Sequence, residues 1–430
     1  MKFMKKNIAI VGLGNIGSYL YRYLIKNKSQ LLKKTNVEPN VLYVSAKNKS
    51  KKRNIKIPKS KWLKNYLQAT QIKEVDIIVE LIGGSDGPAK KLIFEALKNK
   101  KNVVTANKAL IAKYGDQLAK LAEKNNVNLE YEAAVCGGVP IIRSIKEGLI
   151  ANKINKVYGI FNGTSNFILS SMDKNNLSFK NSLQSAFNLG YAEANPTNDI
   201  DGEDVSSKLK ILSSLAFNSY INKDIFVEGI KDIDKEDILN ANKLGYKIKL
   251  IGFSEIRNNK IIQRVHPCLI NKSSYIATVD GILNSVIVEG SPVGKSTLQG
   301  EGAGAEATTS ALISDISSIL RGNIKYPFSI SDKERKFLKS NSIKDQFFSA
   351  YVRIDVLDKP GVLSNITSIF SKNKISIKRL IQNPDKSKDH ASIIIITHKS
   401  KDKFLINSIN QLSKKSYIYK KPKLIRIEKI

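Results

Sequence analysis

Short apolar runs alternate with amphipathic stretches over the first 150 residues of the chain. The first run, residues 7–11, leads directly into a glycine-rich turn, after which apolar residues recur at helical spacing from Ile16 to Leu24. Further apolar runs follow, with helical patterns between them, at residues 41–45, 76–82, 102–106 and 127–132. Strands that alternate with helices predict an α/β fold with a doubly wound parallel sheet.

The turn after the first strand has the order G-x-G-x-x-G over residues 12–17. Gly12 permits a tight turn, Gly14 lets the backbone approach a pyrophosphate, and Gly17 lets the helix pack closely on the strand. Asn15 and Ile16 lie in the first turn of the predicted helix, whose backbone N–H groups can donate to the same phosphates. We therefore expect a Rossmann-type dinucleotide-binding domain at residues 1–150, with these five residues at the cofactor.

The end of the second predicted strand favours one nicotinamide cofactor. An acid there would bind the 2′-hydroxyl of NAD, but residues 45–53 contain no acid and several lysines, and they end at Arg53. Cations at this place accept a 2′-phosphate. The sequence therefore predicts NADP, with NAD as the alternative.

Thr105 and Lys108 follow the fourth predicted strand, where open α/β sheets place ligand groups. We expect both residues beside the cofactor, and we expect Lys108 to be a cation of the active site. The alternative for Lys108 is an exposed lysine at the start of a helix.

Residues 193–208 gather carboxylates behind a proline turn and end at a lysine. They predict a helix that runs to about residue 217, with Asp199 or Asp201 as its N-cap. Asp204 and Lys208 fall on a face next to the predicted buried stripe, which consists of Val205, Leu209, Leu212 and Ala216. The composition indicates an active site, whereas the alternative is an exposed i, i+4 ion pair that stabilises the helix.

Residues 151–300 are predicted to form a second, α+β domain. A strand at 156–161 runs into residues 162–165, whose hydroxyl and N–H groups, including Thr164, suit a substrate carboxylate. The alternative is an ordinary turn that caps a helix. A glycine-rich turn at 300–304 precedes a further helix, and we expect residues 301–322 to return to the first domain.

The C-terminal third of the chain has a different pattern. Residues 323–346 are polar and are predicted to be a linker. Residues 347–430 show the order strand, helix, strand, strand, helix and a final strand, with a D-K-P-G turn at 358–361 after the first strand. This order predicts a third, ferredoxin-like domain.

Composition adds three constraints. The chain has 430 residues, which predicts two or three domains, and a net charge of +33. The lysines are scattered and arginine is scarce beside them, so we interpret the charge as a solvated surface and expect no specific nucleic-acid partner. No apolar run approaches the roughly 20 residues of a membrane span. The only cysteines, Cys136 and Cys268, are too few for a disulfide framework and indicate a cytoplasmic protein.

Six motifs occur in order along nearly the whole chain, and they start at residues 12 (GLGNIG), 105 (TANKAL), 132 (EAAVCGGVP), 162 (NGTSNFIL), 190 (GYAEANPTNDIDGED) and 300 (GEGAG). With these motifs the chain resembles the homoserine dehydrogenases, and residues 347–430 resemble the amino-acid-sensing ACT domain. The resemblance implies NAD(P)-dependent, reversible reduction of L-aspartate 4-semialdehyde to L-homoserine, in threonine and methionine biosynthesis. It also implies a homodimer or homotetramer, in which residues 151–300 bind the substrate and supply the dimer contact.

The resemblance also implies roles for single residues. Lys208 would be the catalytic lysine, and Glu193 and Asp204 would bind the amino end of the substrate, with Asp199 close by. Gly302 would lie near the nicotinamide. Reduction of an aldehyde needs a proton at the developing alkoxide, which an ammonium group can stabilise and protonate. Lys208 is therefore the expected general acid and base, and Lys108 the nearby cation.

Two further sites follow from the resemblance alone. Glu132 and the carbonyls of Val135, Gly137 and Val139 would hold sodium or potassium, and the alternative is a tight loop needed only for packing. The ACT domain implies L-threonine as feedback effector, and Asp358, Gly361 and Asn365 are the residues expected at its binding site. Two other functions stay open: a related semialdehyde reductase, and a dinucleotide-bound amino-acid sensor without catalysis.

Overall fold

The computed structural model describes residues 4–221, 225–323, 325–385 and 389–430. Residues 1–3 of the predicted first domain and residue 324 of the predicted linker lie outside this part of the chain. So do residues 222–224 and 386–388, which fall within the predicted second and third domains.

The first region contains five strands and six helices: β1 (Met4–Val11), α1 (Asn15–Lys26), α2 (Lys28–Thr35), β2 (Val37–Ser45), α3 (Gln68–Gln71), β3 (Ile77–Glu80), α4 (Pro88–Lys98), β4 (Asn102–Thr105), α5 (Lys108–Asn125), β5 (Leu129–Glu130) and α6 (Ile141–Arg143). All strand pairs are parallel and their order is β2-β1-β3-β4-β5. The predicted doubly wound sheet is confirmed. The order reverses between β1 and β3, and open sheets bind ligands at such a switch point.

The second region forms most of a large mixed sheet with helices on it: β6 (Lys153–Ile160), α7 (Gly163–Asn175), α8 (Phe179–Asn188), α9 (Thr197–Ile200), α10 (Glu203–Ala216), β7 (Ser219–Tyr220), β8 (Phe226–Val227), α11 (Lys235–Lys243), β9 (Tyr246–Arg257), β10 (Lys260–Asn271), β11 (Leu283–Ser291), β12 (Gly294–Glu301) and α12 (Ala305–Leu320). Strands β12, β11, β6, β9 and β10 are consecutive neighbours in this sheet. The buried face of α10 packs with Val157 and Leu250 of the sheet in one apolar core.

Helix α12 packs on the first region of the chain. Its residues Leu312 and Ile316 lie in the same apolar cluster as Leu20 and Leu24 of α1 and the core residues of β1 and β2. Helix α12 follows β12 directly. The chain therefore returns to the parallel sheet after the last strand that the second region adds to the large sheet.

The C-terminal region contains β13 (Lys336–Phe337), β14 (Lys339–Ser340), β15 (Phe347–Leu357), α13 (Val362–Lys372), β16 (Ile377–Asp385), β17 (His390–Thr397), β18 (Ser400–Lys401), α14 (Asp402–Leu412) and β19 (Lys423–Glu428). The four long strands are antiparallel to their neighbours in the order β19-β15-β17-β16. The predicted order of strands and helices is confirmed, including the final strand.

The predicted linker is not a free tether. Its short strands β13 and β14 pair with β7 and β10, and the side chain of Arg335 is buried against Ser214. Strand β19 also pairs in parallel with β10, so the large sheet continues into the C-terminal sheet. Glu428 of β19 accepts two hydrogen bonds from Arg264 of β10, at 2.7 and 3.0 Å, and closes this joint.

Candidate active site

Four residues predicted for the active site meet where α5 of the first region faces α9 and α10 of the second. They are Lys108, Asp199, Asp204 and Lys208. Lys208 Nζ lies 2.8 Å from Oδ2 of Asp204, and Lys108 forms an ion pair with Oδ1 of the same carboxylate. The side chains of Asp204, Lys208 and Lys108 are 2%, 10% and 44% exposed. Asp204 therefore joins a buried ammonium group to a half-exposed one, and the exposed i, i+4 pair considered from the sequence is not what forms.

The local sequence explains why these groups are buried. Helix α10 begins at Glu203 because Gly202, at φ 88°, turns the chain out of α9. The predicted N-cap at Asp199 or Asp201 is wrong, because Gly202 occupies the N-cap and makes no side-chain cap. The predicted buried stripe of α10 is confirmed, and Asp204 and Lys208 are buried beside it.

The junction of β6 and α7 supplies three hydrogen bonds that the sequence did not reveal. The carbonyl oxygen of Phe161 accepts a hydrogen bond from Lys208 Nζ at 2.6 Å. The amide nitrogen of Asn162 donates to Oδ1 of Asp199 at 2.7 Å and to Oδ2 of Asp204 at 2.8 Å. The position of Asn162 between a strand and a helix predicts an N-cap, but it does not predict that the same side chain binds Asp199 and Asp204.

The charges in this cluster shift one another's pKa values. Burial acts to raise the pKa of Asp204, but Lys208 and Lys108 outweigh it and hold that pKa below its ordinary range. Burial acts to lower the pKa of Lys208, but Asp204 outweighs it and raises that pKa above 10.5. Burial and the charge of Asp204 raise the pKa of Asp199. The lysine is therefore an ammonium group and Asp204 a carboxylate near neutral pH.

Of the two other residues predicted for substrate binding, Thr164 lies at the start of α7 and Glu193 lies in the segment before α9. The hydroxyl of Thr164 donates to the carbonyl oxygen of Tyr191 at 2.6 Å, which ties α7 to this segment. Glu193 follows two residues later and is exposed. Thr164 thus positions the chain that carries Glu193, and the structure does not bring Glu193 into the buried cluster.

The glycine turn has the geometry that its motif predicts. Gly12, at φ 110°, has no room for a side chain, because a Cβ atom would lie 2.3 Å from the carbonyl oxygen of Leu81. A Cβ atom on Gly17 would lie 2.0 Å from the carbonyl oxygen of Gly12. Gly14 faces open space, and α1 begins at Asn15, followed by Ile16. The turn therefore presents bare backbone and a helix N-terminus at the switch point of the sheet.

Thr105 lies at the end of β4, but its side chain is buried. Its hydroxyl donates to Oε2 of Glu80 at 2.6 Å and accepts from the backbone N–H of Asn107 at 3.0 Å. Glu80 in turn accepts from the backbone N–H groups of Ile82 and Gly83. Thr105 and Glu80 therefore shape the loops after β3 and β4, and Lys108 is the side chain that projects from this edge.

The loop that follows β5 contains the predicted cation ligands. Glu132 is buried, and its carboxylate accepts backbone N–H bonds from Ile142 and Arg143 at 2.9 and 2.7 Å. Burial raises the pKa of Glu132 to about 7. Among the described residues, no lysine or arginine side chain lies within ion-pair distance of it. No group of three or more His, Cys, Asp or Glu side chains with metal-site geometry occurs in the described chain.

The turn of this loop packs on Gly302. A Cβ atom on Gly137 would lie 2.9 Å from the carbonyl oxygen of Gly302, and one on Gly302 would lie 2.2 Å from the carboxamide of Asn284. The carbonyl of Val139 accepts from Ile141 N at 2.7 Å. The structure thus brings together the predicted cation loop, which also includes Val135, and the predicted nicotinamide residue.

The basic segment after β2 is held against the glycine turn. Arg53 Nε donates to the carbonyl oxygen of Leu13 at 2.8 Å, and its other nitrogens donate to backbone carbonyls of Asn48 and Lys51. Lys49 and Lys51 line a hollow of about 420 Å³ with Trp62 and neighbouring residues. Cations therefore surround the end of β2, as the sequence predicts.

In the C-terminal sheet, the D-K-P-G turn lies between β15 and α13. Gly361, at φ 85°, is the N-cap of α13, and the backbone N–H of Asn365 donates to its carbonyl oxygen at 3.0 Å. Asp358 accepts a hydrogen bond from Gln382 of β16 at 3.1 Å. No described helix is both long and apolar enough to cross a bilayer.

Comparison with known families matches almost every part of this architecture. A family model described as homoserine dehydrogenase, NAD binding domain, matches residues 12–132, one described as homoserine dehydrogenase matches residues 140–317, and the ACT domain model matches residues 350–403. The homoserine dehydrogenase of Neisseria gonorrhoeae is 37% identical over 431 residues, which covers 99% of both chains. The chain belongs to the homoserine dehydrogenase family.

Other homoserine dehydrogenases agree with this assignment. The one from Helicobacter pylori is 38% identical over 432 residues, covering 99% of this chain and 100% of its own. The crystal structure of a homoserine dehydrogenase from Thiobacillus denitrificans superposes with a TM-score of 0.91 at 35% identity, covering 100% of this chain and 99% of its own. A hyperthermophilic archaeal homoserine dehydrogenase mutant in complex with NADPH has a TM-score of 0.62 at 25% identity, over 73% of this chain and 97% of its own.

Membership of the homoserine dehydrogenases confirms the predicted fold and function. The chain is an oxidoreductase with a nicotinamide-dinucleotide-binding domain, and its substrates are L-homoserine and L-aspartate 4-semialdehyde. Its C-terminal region is an ACT domain, which indicates that an amino acid acts as effector. These matches give no support to a sensor without catalysis.

Proposed function

We propose that the chain reduces L-aspartate 4-semialdehyde to L-homoserine reversibly, with NADP(H), and that Lys208 is its general acid and base. The observation that carries this proposal is the buried ammonium group of Lys208, which Asp204 and the carbonyl of Phe161 hold in one place. An ammonium group fixed in this way is preorganised to stabilise the oxygen on which charge develops during reduction.

In the reductive direction, Lys208 donates a proton to the aldehyde oxygen as a C–H bond forms at the aldehyde carbon. A nicotinamide held beside Lys108 and Gly302 would supply the hydride in this direction and would accept it in the other. In the oxidative direction, Lys208 must first be neutral so that it can remove the hydroxyl proton. Burial acts to lower the pKa of Lys208 and so favours this neutral form, but Asp204 outweighs it. Lys108 is the nearby cation, paired with the same Asp204 carboxylate.

The carboxylates near Lys208 suit the ammonium group of the substrate. Asp199 and Asp204 both accept hydrogen bonds from the side-chain amide of Asn162. Glu193 lies two residues after Tyr191, whose carbonyl oxygen accepts a hydrogen bond from Thr164 of α7. We assign the substrate's amino end to these three acids. Closure of the 191–196 segment would be needed for Glu193 to join the other two.

Three observations support NADP over NAD. The end of β2 has no acid, Lys49 and Lys51 line a hollow beside it, and the archaeal relative described above was crystallised with NADPH. We assign the pyrophosphate to the turn Gly12–Gly17, and the nicotinamide to the edge that Lys108 and Gly302 flank.

The loop at Glu132 fits a sodium or potassium ion. The Glu132 carboxylate is buried without a cationic side-chain partner, and the same loop carries the carbonyls of Val135, Gly137 and Val139. Carboxylate and carbonyl oxygens are the ligands that hard cations prefer. Such an ion would neutralise Glu132 and fix the turn that packs on Gly302. It takes no part in proton transfer.

The ACT domain supports feedback by L-threonine, with the turn at Asp358 and Gly361 as the segment to test. We further propose a homodimer or homotetramer in which the large sheet supplies the contact. A hollow of about 540 Å³ on that sheet is lined by Tyr158, Tyr275 and Ile430, among others. Light scattering of the purified chain tests the assembly.

The packing of α12 on α1 supports a first domain of residues 1–150 completed by 301–322. It leaves 151–300 as the substrate domain, 323–346 as a connecting segment and 347–430 as the ACT domain. Both cysteines are free and buried, which supports a cytoplasmic location.

One assay tests these assignments together. Absorbance of the reduced cofactor is followed with L-homoserine, with NADP and NAD in turn, with and without L-threonine, and with sodium, potassium or neither. The proposal requires turnover with homoserine, a higher kcat/KM with NADP, and loss of turnover in Lys208→Ala. A folded Lys208→Ala enzyme with full activity would refute the assigned mechanism.

A further inference from the structure

The side-chain amide of Asn162 uses all of its hydrogen-bonding groups at the active site. Its nitrogen donates one hydrogen to Asp199 and the other to Asp204, at 2.7 and 2.8 Å. Its oxygen accepts from the backbone N–H of Ser165 at 2.8 Å, which caps α7. Because the cap fixes the oxygen, the amide cannot rotate without losing all three bonds.

The backbone at this point is also fixed. The ring of Phe161 occupies the space left by two glycines, since a Cβ atom on Gly159 or Gly252 would lie 2.7 Å from it. Phe161 is completely buried, and its carbonyl oxygen receives Lys208. Residues 161 and 162 therefore hold the lysine with a backbone group and the two acids with a side chain.

Asp199 depends on Asn162 more than Asp204 does. Asp204 is in contact with Lys108 and Lys208 as well as Asn162. Within the described parts of the chain, Asn162 is the only hydrogen-bond donor to the Asp199 carboxylate, and no ion pair reaches it. Two neighbouring carboxylates repel each other, so a shared donor is what keeps Asp199 beside Asp204.

We propose that Asn162 is a positioning residue that holds Asp199 and Asp204 together as one acidic pair for the ammonium group of the substrate. This inference rests on the proposed function, in which these acids bind that group. The side-chain amide of Asn162 is committed to the two acids and to the backbone N–H of Ser165. It acts on substrate affinity through the two carboxylates.

The hydrogen bonds of Asn162 also influence protonation. Burial and Asp204 raise the pKa of Asp199, whereas Asn162, Lys108 and Lys208 lower it. Without the amide, Asp199 takes up a proton at a higher pH. A protonated acid cannot pair with the substrate's ammonium group, so substrate binding would fail earlier as the pH falls.

Asn162→Ser is the test variant, because serine is an equally good N-cap but its short side chain has one O–H donor in place of two N–H donors, so it cannot bridge both acids. Hydrogen bonds to charged groups are strong enough that their loss should raise KM for homoserine about ten- to a hundredfold. KM for NADP should stay within about twofold and kcat should fall less than KM rises. The acid limb of kcat/KM should move to higher pH.

Ser178→Ala is the matched control, since Ser178 caps the neighbouring helix α8 and has no contact with the acids. It should leave the homoserine KM and the acid limb unchanged. Asn162→Thr, which also keeps the cap, repeats the test if the serine variant is poorly folded by circular dichroism.

A double-mutant cycle with Asp199→Asn separates positioning from general damage. If Asn162 acts through Asp199, Asn162→Ser should raise KM much less in the Asp199→Asn background than in the wild type. Equal effects in both backgrounds, or an unmoved acid limb in a folded variant, would overturn the proposal. If Asp199→Asn and Asp204→Asn both leave the homoserine KM unchanged, the assigned substrate site itself is wrong.

Discussion

Lys208 Nζ donates a 2.6 Å hydrogen bond to the carbonyl oxygen of Phe161, a residue of the strand-to-helix junction on the facing element. The bond fixes an ammonium group that α10 alone would leave free to adopt several rotamers. The second contact of Lys208, with Asp204, sets its charge. Orientation and protonation of the lysine thus come from two different partners.

Replacement of Lys208 by methionine should therefore abolish catalysis while it preserves the fold. General acid–base groups contribute about 10²- to 10⁴-fold to rate, so kcat should fall by that amount in both directions. Methionine keeps the apolar stem, and Lys108 remains as a partner of Asp204. Initial rates with homoserine and with the aldehyde measure the effect.

Lys210→Met is the control for this variant, because Lys210 lies on the same helix and is only partly buried. It should have nearly wild-type kcat. Near-normal turnover in a correctly folded Lys208→Met enzyme would remove the lysine from the mechanism.

The two reaction directions should differ in their pH dependence. Burial alone would lower the pKa of Lys208, but Asp204 raises it above 10.5, so the ammonium form dominates at neutral pH. Reduction of the aldehyde uses that form and should be nearly flat from about pH 7 to 9. Oxidation of homoserine needs the neutral amine, so its kcat should rise by about tenfold per pH unit over that range. A flat oxidation profile at saturating substrate would contradict the assignment.

Much of the fold could be predicted because local pattern and tertiary environment agree. The last four residues of β1 and the first three of β3 are apolar and buried, which is what a parallel sheet covered by helices on both faces requires. Gly12 and Gly17 were predictable for the same reason: each lies where a side chain would meet backbone.

The site was predicted less completely, because its decisive contacts join distant segments. Residues 107 and 162 look alike in sequence, since each is an asparagine that caps a helix after a strand. Nothing local shows that the amide nitrogen of Asn107 binds a loop carbonyl whereas that of Asn162 binds two acids. A local rule predicted that the Asp199 carboxylate caps α10. The N-cap is Gly202, and the Asp199 carboxylate instead accepts a hydrogen bond from Asn162, which is distant in sequence.

The joint between the substrate and ACT domains was also invisible in the sequence. The polar composition of residues 323–346 predicted a linker, but Arg335 is buried there and strands β13 and β14 pair with the substrate domain. Charged residues that are paired and buried carry the same compositional signal as solvated ones.

Gly14 and Gly17 of the dinucleotide turn should respond differently to alanine. A Cβ atom on Gly17 would lie 2.0 Å from a carbonyl oxygen, so Gly17→Ala should destabilise the domain and lower the melting temperature. Gly14 has φ −75° and nothing within 4 Å of a Cβ atom, so Gly14→Ala should fold normally. Its methyl group would instead occupy the space assigned to the pyrophosphate.

For Gly14→Ala we therefore expect a KM for NADP raised about tenfold or more, with the melting temperature of the cofactor-free protein unchanged. Calorimetry and steady-state kinetics on the two variants separate these effects. If Gly14→Ala binds NADP as the wild type does, the pyrophosphate does not lie on this turn.

The final prediction concerns the joint between the two sheets, where Glu428 accepts two hydrogen bonds from Arg264 and lies 3.2 Å from Nε2 of His266. Burial acts to raise the pKa of Glu428, but Arg264 and His266 outweigh it and lower that pKa from 4.5 to about 2. A lowered pKa means that the carboxylate stabilises the fold fully above about pH 4.5, and that this contribution is lost as the pH falls towards 2. Its size is about 3 kcal/mol near neutral pH.

Glu428→Gln should therefore melt at a clearly lower temperature than the wild type at pH 7, and the difference should shrink as the pH falls below about 4.5. Glu255→Gln removes a carboxylate that pairs with the exposed Arg257, and it should have little effect at either pH. Scanning calorimetry of the two variants at neutral and acid pH provides the measurement. A pH-independent difference for Glu428→Gln would mean that packing, and not the charge of this pair, holds β19 against β10.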